Sequence, residues 1–336
     1  MKKLLCLLMC VCLLSAFVGC ASKKQTSSTA ESKTSSEALV PGNVNVYGLK
    51  GPTGIGLTSL MKKSANGKTQ NTYKFQIISD PQEMVNKVVT GEADIAAVPT
   101  NSASAIYNKT NGGVEMLAVN TLGLLSIVEN GTEISSVADL KGKTIYTIGQ
   151  GQNPEYILRY VLSNNGIDPD KDVTIIFKST NDEVAALMAA GTAKIAMLPE
   201  PVVTTVMAKI PTVRNCLDMT DEWGKISSDS ALMMGCVIVR KEFLENNSDA
   251  VKIFMQEYEE SIAATSDVET TAALCAEYEI IPSAAIAQKA IPNCNIVFIA
   301  GESMKEQITG YFQVLFDSNP ASIGGVMPSD DLYYID

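Results

Sequence analysis

The chain has 336 residues, 46% of them hydrophobic, which is more than one core usually organises and ample for two. Its 37 acidic and 26 basic side chains leave a net charge of −11, the opposite of what nucleic-acid phosphates reward. No histidine occurs, so the commonest general base and the commonest metal ligand are missing together, and most hydrolase and zinc-site chemistries fall with them. Ten of the acidic residues lie between positions 242 and 279 with Lys252 as the one base, the composition of a solvated helix face.

In chain order, Lys2 and Lys3 precede an apolar run over residues 4–18, followed by Gly19 and Cys20. That run is too short to span a bilayer and is expected to be the apolar region of a secretory signal. Phe17-Val18-Gly19-Cys20 resembles the lipobox of bacterial lipoproteins, which implies cleavage after Gly19 and lipid on Cys20. Loss of Lys2 and Lys3 makes the mature balance 24 − 37 = −13. Residues 21–42 are mostly Ser, Thr, Lys, Ala and Glu, too polar to bury, and are expected to form a flexible tether. Four cysteines remain in the body, Cys216, Cys236, Cys275 and Cys294, with no C-x-x-C spacing; they are expected as buried thiols, with a Cys275–Cys294 disulfide as the alternative.

The body begins near Gly42, and it contains an internal match. "GEADIAAVP" at 91–99 and "GTAKIAMLP" at 191–199 share five of nine residues at an offset of 191 − 91 = 100. The offset holds upstream without a gap. Residues 73–79 match 173–179 as extended apolar runs, and 80–90 match 180–190 as helical patterns. Further back, strand-like residues 44–49 run into "KGPTGIGLTSLM", and 144–148 run into "GQGQNPEYILRYVL". Each half alternates strand and helix, which predicts an α/β fold of two similar lobes with mostly parallel, helix-flanked sheets. Residues 124–128 and 233–239 suit strands that cross between the lobes. The remaining tail is expected to be helical, with core-facing stripes at Val251, Phe254, Tyr258 and Ile262 and at Met304, Ile308, Tyr311, Phe312 and Leu315.

With these residues in view, the chain from about Asn43 onward resembles solute-binding proteins of ABC importers, in the two-lobed class with two crossing strands (periplasmic-binding-protein-like II). Within it, the chain is similar to the nitrate, sulfonate, taurine and thiamine-pyrimidine-precursor group. The lipobox, "GEADIAAVP", "SVADLKGKTI" at 136–145 and Glu200-Pro201 carry the likeness. The resemblance implies a signal peptide at 1–19, an anchor and tether at 20–42, a first lobe at 43–122 and 236–336, and a second lobe at 123–235. It implies a monomer, held by lipid at the outer face of the cytoplasmic membrane or in the periplasm, that hands a small molecule to a permease and its ATPase. It requires neither cofactor nor metal. Two rivals share the scaffold: a sensory or adhesion lipoprotein, and an enzyme like a pyrimidine synthase, whose cysteine-rich motif and histidine this chain lacks.

In open parallel sheets, small molecules bind beyond the carboxyl ends of the strands. The candidates there are Gly51, Thr53 and Gly54 in the first turn, Thr100 and Asn101 after the third strand, and Gln150, Gln152 and Asn153 in the second lobe. Asn153 before Pro154 suits an N-cap, which places Gln152 slightly ahead of it as a ligand contact. Glu200, fixed before Pro201, has two open roles: favouring the adjacent helix amino terminus, or accepting hydrogen bonds from a ligand N–H. No cleft turn holds an arginine, so the expected ligand is a neutral or weakly cationic, nitrogen-bearing molecule, such as a heterocycle stacked on Tyr146 or Tyr156, with an anion held by Lys50 and helix termini as the alternative.

Overall fold

Asp80 and Thr180 open two helices one hundred positions apart. The Asp80 carboxylate accepts from the Gln82 amide at 2.8 Å, and the Thr180 hydroxyl accepts from the Glu183 amide at 3.2 Å. Each satisfies a donor that a first helical turn leaves free. The computed structural model describes residues 38–227 and 230–335, so the expected signal peptide, Cys20 and the tether up to residue 37 lie outside the described residues.

The first run comprises β1 (Asn43–Leu49), α1 (Pro52–Ile55), α2 (Thr58–Ala65), β2 (Thr72–Ile78), α3 (Pro81–Val89), β3 (Ile95–Pro99), α4 (Thr100–Lys109) and β4 (Val114–Thr121). The second comprises β5 (Leu125–Asn130), β6 (Thr144–Thr147), α5 (Asn153–Asn164), β7 (Thr174–Phe177), α6 (Asn181–Ala189), β8 (Ile195–Pro199), α7 (Val202–Lys209), β9 (Val213–Asp218) and α8 (Met219–Ile226). The chain then returns as β10 (Gly235–Arg240), α9 (Lys241–Asn246), α10 (Ser248–Ala263), α11 (Val268–Glu277), α12 (Ala284–Ala290), β11 (Ile296–Ala300) and α13 (Gly301–Ser318). The offset of 100 holds for α3 with α6 and for β3 with β8 to the residue.

Two sheets result, ordered β2-β1-β3-β10-β4-β11 and β7-β6-β8-β5-β9. The triplets β1, β2, β3 and β6, β7, β8 are parallel, as short βαβ crossovers require. The fourth place in each sheet is taken by a strand that has just arrived from the other: β5 lies antiparallel between β8 and β9, and β10 antiparallel between β3 and β4. The segments expected to bridge the lobes thus each pair within one sheet. The passage itself is made by residues 122–124 and, among the described residues, by 230–234 leading to Gly235.

Each inserted strand is pinned by an ion pair between a buried carboxylate and a partly exposed arginine. Arg240, ending β10, donates to Asp94 at 2.9 Å and to the Ala93 carbonyl, while Glu129 of β5 accepts from Arg214 of β9 at 2.7 Å and from the Glu133 and Ile134 amides. The expected helical stripes are buried: Phe254 stacks on Tyr258 with ring centroids 5.3 Å apart, and Tyr311 of α13 lies 5.7 Å from Trp223 of α8. Because Trp223 also stands 4.5 Å from Tyr160 of α5, one apolar core continues from the tail into the second lobe. The tail departs from an all-helical expectation at β11, where five apolar residues, three of them β-branched, form an edge strand on β4. Cys216, Cys236, Cys275 and Cys294 are free thiols, so the alternative Cys275–Cys294 disulfide does not form; burial pushes Cys275 up to about 12.

Candidate functional site

The carboxyl ends of β1 and β3 carry the first-lobe candidates, and neighbouring β6 and β8 carry those of the second. Gly51 has φ 97°, backbone that an L side chain resists, and a Cβ on it would meet nothing within 4 Å, which leaves its face open. Gly54 is packed instead: a Cβ there would lie 2.4 Å from the Leu49 carbonyl. The Thr53 carbonyl accepts from Asn120 Nδ2 at 3.2 Å, and Asn120 also reaches the Tyr258 hydroxyl at 3.0 Å.

The two residues after β3 are engaged by the protein itself. Thr100 is fully buried, its hydroxyl donating to the Met233 carbonyl and its amide to that of Met234, so it holds the returning link. Asn101 Nδ2 donates to the Ser322 carbonyl at 3.4 Å.

In the second lobe the cap assignment reverses. Gln152, not Asn153, is the N-cap of α5, because its amide closes a turn onto Gly149 and its backbone is extended (φ −135°, ψ 177°). Its side chain makes no capping bond, and Gln150 and Gln152 are both exposed. Asn153 is 4% exposed, and neither Oδ1 nor Nδ2 has a hydrogen-bond partner. Three residues on along the same helix face, the Tyr156 hydroxyl accepts from Asn319 of the tail at 3.3 Å. Asn153 thus lies one helical turn before the α5 residue that contacts the tail.

Glu200 combines its two expected surroundings. It is 5% exposed; Oε2 accepts from the Thr204 amide at 3.2 Å, the helix-terminus role, and Oε1 accepts from Asn293 Nδ2 at 3.4 Å across the seam. Its own amide donates to Leu124 in the first passage between sheets. The Glu200–Pro201 peptide is cis. Beside Glu200 lies a hollow of about 340 Å³, also lined by Val203, Thr204, Asn215, Lys289 and Asn293. Burial raises the Glu200 carboxyl above its ordinary range, Asp218 adds to that, and the Thr204 and Asn293 donors partly offset it.

A raised carboxyl keeps its proton in the folded protein to a higher pH than in the unfolded chain. Its stabilising contribution is therefore complete below the ordinary value of 4.5 and is lost as pH rises through the folded value. Glu200→Gln, which cannot ionise, is expected to unfold at a higher temperature than the parent at pH 7 and to lose that margin as pH falls to 4.5. Calorimetric midpoints across that range test it, and a constant difference would remove the burial effect.

Tyr146 lines a different hollow, about 530 Å³, at the amino ends of β6 and β8 with Lys143 and Lys194, away from the seam. Sequence reasoning missed Asn293, Lys289 and Asn319, all from the returning tail. The one local signal was Asn319-Pro320, a turn-forming pair.

Two helix-flanked sheets, each holding an antiparallel strand inserted where the chain arrives from the other, define a two-lobed α/β protein. The chain belongs to the family described as ABC transporter, phosphonate, periplasmic substrate-binding protein, whose model matches residues 62–277. Among solved structures it is similar to an ABC transporter from Parabacteroides distasonis, with TM-score 0.73, 19% identity, and 87% of this chain and 98% of that one covered. It is also similar to the periplasmic aliphatic sulphonate binding protein SsuA of Escherichia coli, with TM-score 0.69, 16% identity, and coverage of 87% and 96%. A curated relative, "Putative binding protein YtlA" of Bacillus subtilis, is 28% identical over 122 residues, 35% of this chain. The match spans 36% of that relative's own length. No helix among the described residues is long and apolar enough to cross a membrane.

Proposed function

We propose that the chain captures a small solute between its lobes, outside the cytoplasm, and delivers it to the permease and ATPase of an ABC importer while held to the membrane by lipid on Cys20. Gly51, Thr53, Gln150, Gln152, Asn153 and Glu200 are the proposed contacts, with Gly54 letting the first turn close against the Leu49 carbonyl. Thr100 and Asn101 set the returning chain beside them. The observation that carries this reading is Asn153, whose buried, unpaired amide at the amino end of a twelve-residue helix is a binding group without a partner. Ligand binding would favour the packed arrangement of the lobes, which the permease recognises.

The test is a thermal-shift screen of protein starting at Ala38 against vitamins, pyrimidines, amino acids, sulfonates and phosphonates. A true ligand at about 100 times its Kd adds about 2.7 kcal/mol to the folded state. Cells lacking the chain should then lose uptake of that compound. A hit whose uptake is unchanged by the deletion would leave a binding protein but remove the importer role.

A further inference from the structure

Resting on the proposed solute-binding role, we infer that the hollow beside Glu200 receives a cationic nitrogen of the solute, a protonated amine or amidine, rather than an oxyanion. A carboxylate offers about four acceptor positions, and Glu200 meets only neutral donors, the Thr204 amide at 3.2 Å, Asn293 Nδ2 at 3.4 Å and the Thr204 side chain. Charge-assisted bonds run about 2.7–2.9 Å, so both of these distances are long. Among the described residues no Lys or Arg lies within ion-pair distance of it, although its side chain is almost wholly buried. Lys289 lines the hollow but is exposed and forms no pair with Glu200, and Asp218 places a second carboxylate nearby. A buried carboxylate with no counter-charge favours a ligand that brings one.

The arginines argue the same way. Arg159 pairs with Glu155 and Asp170, Arg214 with Glu129, and Arg240 with Asp94 and Glu242. All three guanidinium groups of the chain are thus spent on its own carboxylates, leaving no planar fork for a phosphonate or sulfonate. A negative group brought to this hollow would instead face Glu200.

Calorimetric titration with matched compounds tests the inference: 4-aminobutyrate and 4-guanidinobutyrate against butyrate, and 4-aminobutylphosphonate against butylphosphonate. The nitrogen-bearing members should bind at least tenfold more tightly than their partners, and Glu200→Gln should erase the difference. Lys289→Glu, a change at an exposed position, should tighten the nitrogen-bearing members severalfold. Equal binding within pairs, discrimination that survives Glu200→Gln, or no binding by any nitrogen-bearing member overturns the inference. Binding of butyrate or butylphosphonate that depends on Asn153 but not on Glu200 would overturn it while leaving the solute-binding role standing.

Discussion

Replacing Arg240 with methionine is expected to destabilise the protein by about 3–5 kcal/mol, since removing the partner of a buried carboxylate strands its charge. The stranded group is Asp94, 6% exposed, which also accepts from the amide and side chain of Asn45. Methionine keeps much of the apolar stem that arginine packs along β10 and removes only the guanidinium. At about 2–4 °C per kcal/mol for a large domain, the midpoint should fall by on the order of 10 °C. Pairing Arg240→Met with Asp94→Asn removes the orphaned charge but keeps an acceptor for Asn45, and should recover most of the loss. A single variant that melts within about 2 °C of the parent would show that this pair does not secure the inserted strand.

Asn153→Ala is expected to have the opposite profile. A buried amide without partners costs about 1–3 kcal/mol, so its removal should leave the ligand-free protein as stable as the parent or slightly more so. Binding of the solute should weaken at least tenfold, because the group that the ligand satisfies has gone. The two measurements are unfolding without ligand and calorimetric titration with it. If ligand-free stability falls and affinity is kept, Asn153 belongs to the packing of α5 and not to recognition.

Much of the fold was legible because it is local and repeated. Matching runs at an offset of 100 placed β3, β8, α3 and α6, and the helical stripes of α10 and α13 were visible from their spacing alone. What escaped depends on contacts between distant residues. Arg240 finds Asp94 across 146 positions, and Asn319 finds Tyr156 across 163, and no local pattern marks such partners. Asparagine's preference for N-caps favoured Asn153 for that place. The Gln152 turn onto Gly149 starts the helix one residue early and turns the Asn153 amide inward without a partner. Glu200 was visible as a stiffened carboxylate, whereas its opposite number, Asn293, lies in a tail that sequence periodicity described only as helical. The pairing of Thr100 with Met233 likewise needs the returning link in place.

The traded strands also govern the order in which the protein can be completed as it is synthesised. Every strand of the second sheet lies between Leu125 and Asp218, so that sheet can close as soon as β9 has emerged. The first sheet cannot: until Arg240 arrives, β3 and β4 have no β10 between them, and two unsatisfied edges stand open to stray pairing. The amino-terminal lobe is thus the last to be finished, and its vulnerable interval is the time taken to deliver the intervening lobe.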